Sequence, residues 1–270
     1  MIARRLLIGY GIVGAANVVG AAAAWTTLST LTKPLLMPLL FAWLLVAARG
    51  RMSAALRWLA VGLVFAWLGD ILLMRDGDGS FELGLGAFLL MQICYIVAFT
   101  RIPGPGLVRA WKVSVVPYVA TWVVVNLLIS AGVGALRIPV LLYSAVLVLM
   151  AVVALDLVLR VPRRPGWRVA WGALIFVASD GLIAVTEFGP LSQSPLASAL
   201  VMATYITAQA MIVTGLTESE LERPTRWPPA RRLRDSPLRG SFLAYALTWS
   251  FSRKRWPMTW VTPSPRIETP

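Results

Sequence analysis

The chain has 270 residues, 58% of them apolar and 14% charged, with mean hydropathy +0.75. Charged residues make up about a quarter of a globular domain, so a soluble protein is excluded. An integral membrane protein is indicated, with room for roughly seven to nine spans of about 20 residues. The formal charge of +13 does not point to nucleic acid, because the basic residues lie in short loops between apolar runs rather than on one face of a folded domain.

Met1–Arg5 is a short basic start, and Leu6–Ala24 is the first predicted span. Its basic start, apolar middle and run of alanines resemble a signal peptide, but the apolar stretch is long for one and reads as an uncleaved span. Gly9, Gly11 and Gly14 within it spell G-x-G-x-x-G. No strand precedes them, so they read as small residues for close helix packing and not as a dinucleotide site. Further spans are predicted at Leu31–Ala48, Leu56–Met74, Glu82–Thr100, Trp111–Ser130, Ile138–Leu159, Val169–Thr186 and Leu196–Gly215. The fold class is therefore all-α, a polytopic membrane bundle of eight helices over residues 1–215. Residues 216–270 form an Arg/Pro-rich tail, expected to be mostly disordered and drawn to anionic lipid.

Lys and Arg divide by side. One side carries 22 of the 25, and the other carries only Lys33, Arg75 and Arg137. The positive-inside rule then predicts both termini in the cytoplasm of a cell-membrane protein, consistent with an even number of spans.

Asp70 sits inside L-V-F-A-W-L-G-D-I-L-L-M, Leu63–Met74, as a single acid among apolar residues. An acid at the bilayer centre costs roughly 2.5–3.5 kcal/mol on insertion scales, so its retention marks a functional candidate. Asp180 stands in a matching run. Gly62 precedes Asp70 by eight residues, as Gly172 precedes Asp180; Tyr95 follows Asp70 by 25, as Tyr205 follows Asp180. The offset of 110 carries Lys33 onto Tyr143. The pattern reads as a parallel repeat of four plus four helices, with chance alignment of apolar helices as the alternative.

Both aspartates fall some 20 Å up an outward-running helix, at about 1.5 Å per residue. Lys33, Tyr143 and Asn126 fall toward outer helix ends and Gln92, Tyr95, Tyr205 and Gln209 nearer the midplane, and all are expected to line one cavity opening to the outer half of the membrane. Histidine is absent, which removes Ser-His and Cys-His catalysis and His-based metal sites. No metal or cofactor is expected. The single cysteine, Cys94, reads as a small core residue. Asp156, four residues before Arg160, reads as a helix-end ion pair, and Asp76, Asp78 and Glu82 as solvated loop acids. Asp70 and Asp180 have two readings. They are structural partners of Lys33 holding helices together, or a catalytic carboxylate pair dividing the acid and base roles. Ser179 is a weaker candidate nucleophile, having no histidine to activate it.

Taken in order, T-K-P-L-L at Thr32–Leu36, G-L-V-F-A-W-L-G-D-I-L-L at Gly62–Leu73, the Gly84–Phe88–Tyr95 spacing and G-A-L-I-F-V-A-S-D-G-L-I at Gly172–Ile183 resemble the YhhN family of lysoplasmalogenase-like membrane proteins. The resemblance runs from about Leu31 to Gly215 and leaves out the tail. It implies an eight-helix hydrolase that cleaves the vinyl ether bond of a lysoplasmalogen, releasing a fatty aldehyde and a glycerophospho-base. It maps the family's acidic motifs onto Asp70 and Asp180 and its lysine motif onto Lys33. Lys33 could meet the lipid phosphate, with Gln92, Tyr95, Tyr143, Tyr205 and Gln209 as further substrate contacts. The family pattern carries histidine where this chain has Gln92, which puts proton transfer or head-group binding in question at that position. Two other classes suit the same features: a proton-coupled transporter using the buried acids and the breaks at Pro34 and Pro38, and a lipid-binding scaffold with a basic tail.

Overall fold

The structure is a computed structural model and describes residues 1–75, 77, 79–129, 132–188 and 194–222. Asp76, Asp78 and the expected tail from residue 223 onward lie outside the described residues.

The described chain is all-helical. Seven helices are long and apolar enough to cross a membrane: α1 (Ile2–Ala22), α2 (Thr26–Ala48), α3 (Ala54–Leu72), α4 (Ser80–Thr100), α7 (Arg137–Asp156), α8 (Arg163–Phe188) and α9 (Pro195–Leu221). Between α4 and α7 lie a single turn, α5 (Leu107–Ala110), and a shorter apolar helix, α6 (Val116–Ile129). α6 takes the place of the predicted span Trp111–Ser130. Pro117 suits the first turn of an α-helix, and the residues before it, Lys112–Val115, wind as a separate 3-10 turn.

Apolar residues face both ways, as lipid requires. Inside, Leu36, Leu40 and Leu44 of α2 meet Leu56, Leu59 and Leu63 of α3 and Met91, Tyr95 and Phe99 of α4, all fully buried. Outside, Ile12, Leu31, Leu83 and Leu142 are exposed, as are Trp25 and Trp111 near helix ends, the depth at which tryptophan anchors a span.

Local chemistry sets the ends. Arg49 and Gly50 take left-handed φ of 48° and 78° to stop α2, and the Ser53 hydroxyl then accepts from the Leu56 N–H at 3.2 Å to start α3. Ser194 caps α9 in the same way, with Pro195 in the first turn. α2 begins five residues earlier than its hydropathy predicts. Thr26–Thr30 is polar, but the Asn17 amide of α1 donates to the Ser29 carbonyl at 3.0 Å and to the Thr32 hydroxyl at 2.9 Å, which holds that turn helical. Lys33 therefore stands well inside α2 and not at its start.

The hairpin pairs α1–α2, α3–α4 and α8–α9 pack closely, and α9 runs against α1, α2 and α3 as well as α8. Two glycines make two of these contacts possible. A Cβ on Gly62 would come within 2.5 Å of the Tyr95 ring, and one on Gly172 within 2.9 Å of Met211. α7 bridges α4 and α8, and α6 lies against α7 and α8.

Candidate active site

The first polar cluster starts from a backbone defect. Pro38 has no N–H, so the Pro34 carbonyl loses its usual helical partner. The Trp67 indole of α3 donates to that carbonyl at 2.9 Å. This cross-link joins α2 beside Lys33 to α3 one turn before Asp70. The Lys33 ammonium then lies 3.9 Å from Asp70 Oδ1, a charge contact longer than a hydrogen bond. On the other side the Tyr205 hydroxyl of α9 donates to Asp70 Oδ2 at 2.9 Å. Asp70 is 1% exposed, so both partners matter: a buried carboxylate needs charge compensation and hydrogen bonds.

The surroundings of Tyr205 are specified in turn. Phe88 and Phe176 meet its ring edge-on, each at 5.9 Å between centroids. One residue on, the Ile206 carbonyl accepts from the Tyr10 hydroxyl at 2.8 Å. One turn on, Gln209 accepts from the Tyr95 hydroxyl at 2.7 Å and donates to the Met91 sulfur at 3.2 Å. Lys33–Asp70–Tyr205 and Tyr95–Gln209–Met91 thus form two linked groups one turn apart along α9, drawn from α2, α3, α4 and α9.

The second cluster surrounds Asp180 of α8. Its Oδ2 accepts a short hydrogen bond from the Tyr143 hydroxyl of α7. Gln92 of α4 lies beside that hydroxyl. The Gln92 side chain is fully buried, and neither its Oε1 nor its Nε2 has a hydrogen-bond partner of normal geometry. Asp180 and Tyr143 open onto a chamber of about 280 Å³ bounded mainly by α4, α6, α7 and α8. Asn126 also lines it, within a small closed network: Trp122 donates to Ser144 at 3.0 Å, and Asn126 donates to the Trp122 carbonyl at 2.8 Å and lies 3.3 Å from Ser144.

The expected residues therefore divide between two neighbouring clusters. Asp180, Tyr143 and Asn126 line the chamber; Asp70, Lys33, Gln92, Tyr95, Tyr205 and Gln209 are not among its lining residues. Phe88 is the common wall. It lines the chamber, touches the Tyr205 ring, and lies so close to α3 that a Cβ on Gly69 would come within 2.8 Å of it. The 110-residue offset now relates two contacts: Lys33 meets Asp70, and Tyr143 meets Asp180.

Other candidates take structural roles. Ser179 is buried and donates to the Val201 carbonyl at 3.1 Å, tying α8 to α9. Asp156 pairs with Arg160 and also accepts from the Val108 N–H at 2.7 Å, closing the loop after α4. Glu82 sits in the first turn of α4, where the helix dipole favours an acid. Two residues of the site, Trp67 and Tyr10, carry no role in the sequence reading, and Phe88 stands there only as part of a spacing motif. The one usable signal was Pro38, whose missing N–H frees a carbonyl that some donor must meet.

The YhhN family model matches residues 28–216, an interval that contains both clusters except Tyr10. The chain belongs to the YhhN family. Among its relatives, the lysoplasmalogenase TMEM86A of Bos taurus is 30% identical over 68% of this chain and 76% of its own length, and that of Homo sapiens is 31% identical over 71% and 79%. The lysoplasmalogenase of Mycobacterium tuberculosis is 34% identical over 49% of this chain and 50% of its own length. No solved structure matches the chain. Family membership and the apolar helices together make this a multi-pass membrane protein.

Proposed function

We propose that this chain is a membrane hydrolase of the lysoplasmalogenase type. It cleaves the vinyl ether bond of a lysophospholipid to give a fatty aldehyde and a glycerophospho-base, using carboxylate acid/base chemistry on Asp70 and Asp180. The observation that carries this reading is two carboxylates embedded among membrane helices, each held by a tyrosine hydroxyl, in a member of a family with relatives named lysoplasmalogenase.

The chemistry fits those groups. Cleavage begins with a proton delivered to the alkene carbon that does not bear oxygen. The carbon that does bear oxygen becomes part of an oxocarbenium ion, which a carboxylate stabilises. Water adds there and gives up a proton to a base. The hemiacetal then collapses, its hydroxyl proton passing to the departing glycerol oxygen, and an aldehyde is left. One water is consumed and no redox partner is needed. Two carboxyl groups in acid and base roles serve a cation of this kind, as they do in glycoside hydrolysis. Lys33 is the cation suited to the substrate phosphate, with Gln92, Tyr95, Tyr143, Tyr205 and Gln209 as the remaining contacts. We place residues 1–215 as the membrane domain of a cell-membrane protein with cytoplasmic termini, and residues 216–270 as a tail that meets anionic lipid.

The test is direct. Purified full-length protein mixed with a lysoplasmalogen is expected to release aldehyde, read by a coupled aldehyde reductase. Asp70→Asn and Asp180→Asn are each expected to lower kcat by at least a hundredfold with the melting transition retained. Release that survives both changes overturns the site. No release from any vinyl ether lipid, with proton-driven flux in liposomes, favours a transporter instead.

A further inference from the structure

The chamber beside Asp180 has a shape and lining that the acid/base reading does not use. We propose that it seats the hydrocarbon chain of the lipid substrate, and that the small residues Ala178 and Gly181 of α8 leave the room beside Asp180 that the chain needs. This rests on the hydrolase reading, because the chain is that of the lipid being cleaved.

Its chemistry excludes a polar guest. Apart from Asp180 and Tyr143, the walls near the carboxyl are hydrocarbon: Leu85 and Phe88 from α4, Leu147 from α7, and Leu174, Val177 and Ile183 from α8. The other polar side chains of the lining, Thr121, Trp122, Asn126 and Ser144, bond to one another or to backbone. No lysine or arginine is among the lining residues, so a phosphate entering here would meet a carboxylate and no cation. The head group stays outside, and the chain goes in. A volume of about 280 Å³ lies at the small end of ligand pockets, roughly 300–1,000 Å³.

The geometry puts the carboxyl partway along the guest. Lining residues on α8 run from Leu174 to Ala184, about 15 Å of helix at 1.5 Å per residue. Asp180 stands about 9 Å from the Leu174 end and about 6 Å from the other. A chain lying toward Leu174 and Leu147 therefore passes Asp180 at the end nearest its head group, where a vinyl ether sits. Leu174 and Ala178 line the chamber and are also exposed, which suits entry of the chain from the bilayer.

Room along this path comes from small side chains. Leu174, Ala178 and Gly181 follow the i, i+4, i+7 spacing of one helix face. Gly181 lines the chamber, and a Cβ there would meet nothing within 4 Å, so a larger side chain takes up chamber space from its first carbon onward.

The experiment compares substrates of graded chain length. Burial of each methylene is worth about fourfold in affinity, so wild-type kcat/KM is expected to rise with alkenyl length until the chamber is full. Gly181→Leu and Ala178→Leu are expected to lower the ratio of kcat/KM for a long over a short substrate at least tenfold. In parallel, binding of a fluorescent alkyl lysophospholipid to the full chain in nanodiscs is expected to weaken at least fivefold in both variants, whether or not turnover occurs. An unchanged chain-length ratio in an active enzyme, or unchanged binding, overturns the chamber assignment. Absent turnover with binding still sensitive to both variants overturns the hydrolase reading and leaves the chamber standing.

Discussion

A buried amide without well-formed hydrogen bonds costs about 1–3 kcal/mol, and Gln92, whose polar neighbour is the Tyr143 hydroxyl, makes none of normal geometry. Gln92→Met is therefore expected to raise the thermal midpoint in detergent, by an amount corresponding to about 1–3 kcal/mol. If Gln92 serves the reaction beside Tyr143, the same change lowers kcat/KM; a variant that is both more stable and fully active removes Gln92 from the site. Tyr205→Phe has the opposite sign. It deletes a hydrogen bond to a buried carboxylate and is expected to cost about 1.5–3 kcal/mol, read by the same melt. The two aspartates and Lys33 were legible because charge is conspicuous in an apolar run. Trp67 was not, since an indole is unremarkable in a membrane helix and its role depends on a proline in another one.

At the scale of the helices, the presence of spans was plain from hydropathy, while their inner faces were not. In lipid both faces of a helix are apolar, so amphipathicity carries little signal. Size carries it instead. Gly62 and Gly172 mark the places where α3 meets Tyr95 and where α8 meets Met211 and Ile212. Gly62→Leu is expected to overpack this contact, at a cost of about 1–3 kcal/mol. It should also displace the Tyr95 ring and break its bond to Gln209, lowering the melting midpoint. The same substitution at Gly181, where the space is empty, is expected to leave the melt close to wild type. Boundaries failed where tertiary bonds outweighed hydropathy. The Thr26–Thr30 turn joined α2 through Asn17. α9 ran six residues beyond Gly215, where Glu218 pairs with Arg168 of α8 at 2.6 Å.

At the scale of the molecule, the offset of 110 links sequence to geometry. It carries the Lys33–Asp70 contact between α2 and α3 onto the Tyr143–Asp180 contact between α7 and α8, the pairing that a parallel repeat would require. It carries no copy of Tyr205's bond to Asp70, because Tyr95 turns to Gln209 instead. The chemistry around the two acids thus differs: Asp70 is ion-paired and enclosed, and Asp180 is open to a chamber. A parallel relation requires α3 and α8 to run the same way through the bilayer, and the charge bias predicts that direction as outward. Cys94 is buried, so the native chain is silent to a membrane-impermeant maleimide and single cysteines report the side on which they lie. Arg75→Cys and Arg137→Cys are expected to label in intact cells, whereas Arg51→Cys and Arg101→Cys label only after permeabilisation. Labelling of Arg75→Cys and Arg101→Cys on the same side would show that α4 does not cross the bilayer. Labelling of Arg75→Cys and Arg137→Cys on opposite sides would show that α3 and α8 are antiparallel, and no parallel repeat could then relate Asp70 to Asp180.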